Sequence, residues 1–200
     1  MKDEHNLPAA YKRLKEVKKQ IESEEVKRTL NRFTYRFRVA RAFEGIVARD
    51  IGDRTASGYA AGMKILLAYG AFDEIRQTRD SIPKLRPPKG EYTKIVNANL
   101  ANKLRDNTDL RDLLSITTAV KNPSLKKDVG KFFVNENDDV MCIATGLRNA
   151  FAHGVFTAAG AGLVTKRRQK QIHELADAVL DMTDDMALEC VSQLEISLKG

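Results

Sequence analysis

Apolar side chains recur at intervals of three to five residues along nearly all of this 200-residue chain. That spacing places them on one face of an α-helix, whereas a half-buried strand requires an apolar side chain at every second position. Alternation of the second kind never extends beyond a few residues. The sequence therefore predicts an all-α protein. The first apolar stripe contains Leu14, Val17, Ile21, Val26, Leu30, Phe33, Phe37, Ala40, Phe43 and Val47.

Two local signals divide the N-terminal part of the chain. The first stripe fits either one long helix or two in succession. Ser23, followed by Glu24 and Glu25, is a suitable start for a second helix, since a serine cap and acidic side chains suit the positive helix end. Residues 52–58 (GDRTASG) are predicted to form a turn, and a further helix follows over residues 59–75.

The segment 81–92 contains three prolines and one glycine, which predicts a loop and a domain boundary. We expect a helical region over 1–80 that packs on a core bundle over 93–200, with one continuous domain as the alternative. Asn107 or Thr108 is placed to cap a helix, and Gly154 to end one. The second part is predicted to contain helices at 95–104, 110–120, 125–133 and 140–151, a flexible joint at 158–162 and a long last helix.

Composition limits the class of protein. A hydrophobic fraction of 42% is enough for a core, and no apolar run approaches the roughly 18 residues of a membrane span. Cys142 and Cys190 both fall in apolar helical patterns, where free buried thiols are expected. The net charge of +7 suits either attraction to a polyanion such as RNA or simple solubility. We expect a soluble, cytoplasmic protein with no membrane association.

One apolar segment has unusual polar residues. In residues 140–165 the ionisable side chains besides Cys142 are Arg148 and His153, and charge in an apolar helix is costly unless it is paired. On a helical wheel that places Leu147 on the core stripe, Asn149 and His153 fall one turn apart on the opposite side. Cys142 shares that face opposite the core, and Arg148 lies on the flank.

These residue types suit cleavage of a phosphodiester without a metal. Histidine is a fitting base for the ribose hydroxyl because its unperturbed pKa of about 6.5 lies near neutrality. The Arg148 guanidinium matches the charge that builds on the phosphoryl oxygens, and Asn149 would orient the imidazole or hold a phosphate oxygen. A symmetric homodimer that joins the Asn149 and His153 faces would supply a second imidazole as the acid.

The sequence LRNAFAHG at residues 147–154 resembles the Arg-x4-6-His motif of the HEPN superfamily, and its helical context extends the similarity loosely over the second half of the chain. The resemblance implies a HEPN-like helical bundle with additional N-terminal helices, dimerisation that forms one cleft, and metal-independent endoribonuclease activity. It gives Arg148 and His153 the catalytic positions and Asn149 a supporting one, with no metal and no cofactor. Toxin–antitoxin, phage-defence and RNA-processing roles are found in the family.

Other interpretations of the same residues stay open. Arg148 would be structural if it paired with Asp181 or Asp184, and His153 would be structural if it only interacted with the helix dipole. Some HEPN proteins lack nuclease activity and bind a nucleotide or a partner such as an antitoxin. A basic helical scaffold that binds nucleic acid is the remaining alternative.

A second candidate site is basic. Lys166, Arg167 and Arg168 begin the last helix, where the dipole prefers acids, so they are expected either to hold RNA phosphates or to form a solvated patch. The N-terminal helix has a similar pattern, and its phenylalanines are expected to be core residues rather than platforms for bases. That pattern consists of Arg32, Arg36 and Arg38 beside Phe33 and Phe37.

Overall fold

The computed structural model describes residues 7–87, 93–119 and 122–198, and it confirms the prediction of an all-α protein. Within these residues the backbone forms eight helices, and the β pairing between Val96 and Asp139 is an isolated bridge. The helices are α1 (Tyr11–Gln20), α2 (Glu24–Ala42), α3 (Asp53–Ser81), α4 (Ala98–Arg105), α5 (Thr108–Ala119), α6 (Pro123–Phe133), α7 (Met141–Ala152) and α8 (Lys166–Ser197).

The chain forms two compact units. Unit 1 consists of Met1–Phe43, Leu67–Tyr92 and Val179–Gly200, and unit 2 consists of Glu44–Leu66 and Thr93–Ala178. One boundary follows the proline-rich segment, between residues 92 and 93. The others fall after α2 and within α3 and α8, so each of these two long helices contributes residues to both units.

Unit 1 has its core between α1, α2 and the parts of α3 and α8 that belong to it. The first stripe is two helices, because α1 ends at Gln20 and the Ser23 hydroxyl accepts a hydrogen bond from the Val26 amide at 3.4 Å at the start of α2. Phe33 and Phe37 are buried and pack edge to face, with ring centroids 5.7 Å apart. Both are therefore core residues, as the sequence predicts.

Asparagine side chains begin three helices of unit 2. The side-chain oxygen of Asn97 caps α4, that of Asn107 caps α5 and that of Asn122 caps α6, each by accepting an amide hydrogen bond at 2.9–3.1 Å. Such caps satisfy amides that have no partner inside the helix. Of the two predicted caps for α5, Asn107 performs the role. Pro123 is the first residue of α6, where its missing amide costs nothing.

Two predictions about loops were wrong. The segment 52–58 is not a turn, since α3 begins at Asp53 and continues through it. Residues 158–162 are a packed turn rather than a flexible joint, with Ala158 and Ala161 buried. Close packing explains both results, because a Cβ at Gly58 would lie 2.7 Å from the Ala158 Cβ and 2.6 Å from the Leu163 carbonyl oxygen.

Both cysteines are buried and unpaired with each other, as predicted. The Cys142 thiol in α7 donates to the Asp139 carbonyl at 3.0 Å, and burial raises its pKa far above the usual range. Burial also raises the pKa of Cys190 in α8 to about 12. The thiolate is the reactive form, so neither side chain has nucleophilic character in the folded protein.

No helix among the described residues is long and apolar enough to cross a membrane.

Candidate active site

Helix α7 begins at a buried carboxylate. The Asp139 Oδ1 atom accepts hydrogen bonds from the Ile95 amide at 2.9 Å and from the Met141 amide at 3.1 Å. The carboxylate thereby satisfies a first-turn donor and joins α7 to the segment before α4. Its Oδ2 atom is buried and has no hydrogen-bond partner among the residues that the structure describes, and burial raises the pKa of Asp139.

The first two turns of α7 are enclosed by unit 2 itself, where α5 and α6 pack against the helix. Gly146 allows close approach, because a Cβ there would lie 2.8 Å from a methyl carbon of Leu114 in α5. Cys142, which the helical wheel puts opposite the core, is only 3% exposed. The face predicted to meet a second chain is therefore closed at Cys142, half-buried at Thr145 and Asn149, and exposed at His153.

Gly154 ends α7 in the way that the sequence predicts. Its φ of 67° lies in the left-handed region, its amide donates to Phe151 O at 3.0 Å, and the Val155 amide donates to Ala150 O at 3.0 Å. This pair of bonds is the Schellman arrangement, which satisfies the last carbonyls of a helix. His153 is the residue held between the last helical turn and this reversal.

Aromatic packing holds the same end of the helix. The Phe151 ring stacks on Phe156 with centroids 3.9 Å apart, and Tyr59 of α3 contacts Phe156 edge on at 5.9 Å. Gly62 of α3 faces this stack, since a Cβ there would lie 2.4 Å from the Phe151 ring. The backbone next to His153 is thus fixed by packing on its inner side.

The structure brings together the three residues predicted for catalysis. Arg148 and Asn149 are half-buried, and the Arg148 Nη1 atom donates to the Asn149 side-chain oxygen at 3.1 Å. His153 is exposed and lies one turn beyond Asn149, and its amide donates to the Asn149 carbonyl at 3.0 Å. The guanidinium therefore contacts the side chain of Asn149, which lies one turn before His153.

The acids proposed as alternative partners of Arg148 belong to unit 1 and have contacts there. Asp181 forms an ion pair with Arg41. Asp184 accepts the Ala9 amide at 2.9 Å and 3.1 Å through its two oxygens. These bonds give both carboxylates structural roles at the N-terminal end of the chain.

In the basic cluster Lys166, Arg167 and Arg168, both arginines form ion pairs with aspartates. Arg168 pairs with Asp109 at 2.6 Å, and Arg167 pairs with Asp106 at 3.3 Å. Such exposed or partly exposed ion pairs contribute about 0–1 kcal/mol, so a phosphate can compete with the carboxylates. Lys166 is exposed.

Clefts surround the start of α8. One is lined by Lys166 together with Asp53, Arg54 and Ser57 from the start of α3. Gln169 fixes this end of α8, because its side-chain amide donates to the carbonyls of Arg54 and Leu163 at 3.1 Å and 2.9 Å. The sequence did not single out Arg54, since only the fold brings the starts of α3 and α8 together.

Among the described residues, no group of three or more His, Cys, Asp or Glu side chains is arranged to hold a metal ion. A scan of family models, a search of curated proteins and a search of solved structures each returned no match for this chain. The function of the α7 site must therefore be inferred from its own side chains.

Proposed function

We propose that this protein is a metal-independent endoribonuclease that uses Arg148, Asn149 and His153. The observation that supports the proposal is the grouping at the end of α7 of an exposed imidazole and a guanidinium bonded to Asn149. Most other side chains of the helix are apolar and buried, so the ionisable groups are concentrated at its C-terminal end, where the exposed imidazole is accessible to a substrate.

In the proposed reaction His153 removes the proton from a ribose 2′-hydroxyl. The resulting oxygen attacks the adjacent phosphorus, and the bond from phosphorus to the 5′-oxygen breaks. Arg148 stabilises the charge that develops on the phosphoryl oxygens, while Asn149 holds the guanidinium. The products are a 2′,3′-cyclic phosphate end and a 5′-hydroxyl end, and DNA is not a substrate because it has no 2′-hydroxyl.

The leaving 5′-oxygen needs a proton, and one imidazole does not serve easily as base and acid in the same step. We propose a two-fold homodimer in which the exposed Asn149 and His153 ends of two α7 helices face one cleft. The second His153 then protonates the leaving oxygen. A nuclease of this kind suits a toxin or phage-defence component that an antitoxin restrains.

The test is cleavage of RNA by purified protein in the presence of a chelator. We expect His153→Ala to reduce the cleavage rate by at least about a hundredfold, because general acid–base catalysis contributes 10²–10⁴-fold. Circular dichroism should be unchanged, since the side chain is exposed. Analysis of the product ends should detect the 2′,3′-cyclic phosphate.

His173→Ala is the control for loss of an imidazole elsewhere, because the half-buried His173 lies on α8 and not on α7. It should retain the wild-type rate. Equal cleavage by His153→Ala and wild type would refute the assignment of the base. Activity that disappears in chelator and returns with magnesium would refute the metal-independent mechanism.

A further inference from the structure

The outer face of α2 in unit 1 has an exposed tyrosine among arginines. Tyr35 is 69% exposed, although α2 buries its two phenylalanines completely. Arg28, Arg32 and Arg38 share a helix face with Tyr35, because steps of three, four and seven residues return to the same side of a helix. Arg36 follows Arg32 by one turn and borders this face. The outer face of α2 is defined here as Arg28, Arg32, Tyr35, Arg36 and Arg38.

A buried carboxylate positions two of these arginines. Glu74 of α3 is buried, and its two oxygens bond the Nε atom of Arg32 at 2.9 Å and the Nη1 atom of Arg36 at 3.0 Å. Both guanidinium groups remain about half exposed, at 50% and 48% of the side-chain surface. Each has five N–H donors, so donors remain for an oxyanion after these bonds.

The other two arginines add charge that no ion pair offsets. Arg28 and Arg38 are exposed, and neither forms an ion pair with another residue in the part of the chain that the structure describes. The face thus combines four guanidinium groups with the buried Glu74, while the exposed Glu24, one turn before Arg28, is ion-paired with Lys27. Tyr35 therefore presents an uncovered aromatic ring within a basic surface.

We propose that the outer face of α2 binds single-stranded RNA, with a base stacked on Tyr35 and phosphates held by the arginines. Charge complementarity selects a polyanion, and an exposed ring between cations suits unpaired bases, because base–aromatic stacking occurs with every base. A duplex offers no free base to the ring. This inference rests on the proposed function in taking RNA as the substrate, and it assigns that RNA a binding surface on unit 1.

Binding is measured with the His153→Ala protein, so that cleavage does not interfere, using a fluorescent single-stranded RNA at several salt concentrations. Tyr35→Ala should weaken binding about tenfold and Tyr35→Phe should restore it, because the phenyl ring retains the stacking surface. Replacing Arg28 and Arg38 with Gln should make the dependence of RNA affinity on salt less steep. The negative slope of log K, where K is the association constant, against log salt concentration should decrease in magnitude by about 1.4. Single-stranded DNA should bind similarly, and a matched duplex should show no loss with Tyr35→Ala.

The charge-matched control is Lys126→Gln with Lys127→Gln on α6, two exposed cations in unit 2. It should leave the salt slope unchanged. Equal affinity of Tyr35→Ala and wild type, or equal losses for the α2 and α6 pairs, would overturn the inference. RNA binding that depends on Tyr35 in a protein without nuclease activity would support the inference and refute the proposed function, so the two failures are distinguishable.

Discussion

At the scale of the single residue, Gly154 determines where α7 stops and therefore where His153 is held. The left-handed backbone at this position reverses the chain immediately after the imidazole. Space is not the constraint, since a Cβ at Gly154 would meet nothing within 4 Å. The requirement for glycine is therefore purely one of backbone conformation.

Gly154→Ala is expected to lower the free energy of unfolding by about 1 kcal/mol, because a side chain disfavours the left-handed region. Gly45→Ala is the matched control, since Gly45 also has open space around its Cβ and its φ is not positive. The control should be neutral or slightly stabilising. Urea denaturation measures the free energy of unfolding of both variants. Equal changes in the two variants would contradict the requirement for a left-handed backbone at Gly154.

Asp139 gives a second expectation at this scale, in the pH dependence of stability. Burial raises its pKa, so the folded protein holds the carboxyl proton more tightly than the unfolded chain does. The stabilisation by this group is complete below the ordinary carboxyl pKa of about 3.9 and is lost as the pH rises through the raised value.

The stability of wild type relative to Asp139→Asn should therefore decrease as the pH rises from about 3.5 toward neutrality, as about one proton is released from the folded protein. Urea unfolding of both proteins at several pH values measures the difference. A constant difference would show that the hydrogen bonds from Ile95 and Met141 balance burial, and a change in the opposite direction would show that they outweigh it.

At the scale of the element, short-range chemistry explains several of the helix ends. Ser23, Asn107 and Gly154 were predictable because a cap or a left-handed stop depends on residues within one turn. The start of α3 was not predictable, because GDRTASG has the composition of a turn while packing at Gly58 favours the helix. The helical wheel placed Cys142 opposite the core although its apolar surroundings predicted a buried thiol, since a wheel gives a direction but not which helices lie there.

Two glycines on α3 allow a direct comparison of packing with helix propensity. Gly62→Ala should lower the free energy of unfolding by about 1–3 kcal/mol, because the new methyl group overlaps the Phe151 and Phe156 rings. Gly70→Ala should instead raise it by up to about 1 kcal/mol through propensity. The nearest atoms to a Cβ there belong to the Arg36 side chain and lie at 3.8 Å. Thermal or urea unfolding measures whether each variant has a lower or a higher free energy of unfolding than wild type.

At the scale of the whole molecule, charge is distributed unevenly along the chain. Residues 1–50 contain 13 basic and 8 acidic side chains, whereas residues 171–200 contain 1 basic and 7 acidic. The sequence shows this asymmetry directly. It does not show which cations stay exposed, because the pairing of Arg168 with Asp109 and of Arg32 with Glu74 joins residues 59 and 42 positions apart.

The proposed homodimer with one shared cleft predicts how mixed protomers behave. If each cleft needs His153 from both chains, equal amounts of wild type and His153→Ala should, after exchange, retain about a quarter of the activity expected if every chain were wild type. Independent protomers would retain half. Sedimentation at micromolar concentration should show a dimer, and a monomer that cleaves RNA at the full rate would refute the shared cleft.

The two buried cysteines can serve as natural probes of conformational opening. Cys142 lies in unit 2 and Cys190 in unit 1. Each unit therefore contains one buried thiol that does not react with reagents in solution while that unit stays folded. An alkylating reagent modifies such thiols only during transient opening. Mass spectrometry of the labelled peptides therefore records the opening of each unit separately, without any engineered probe.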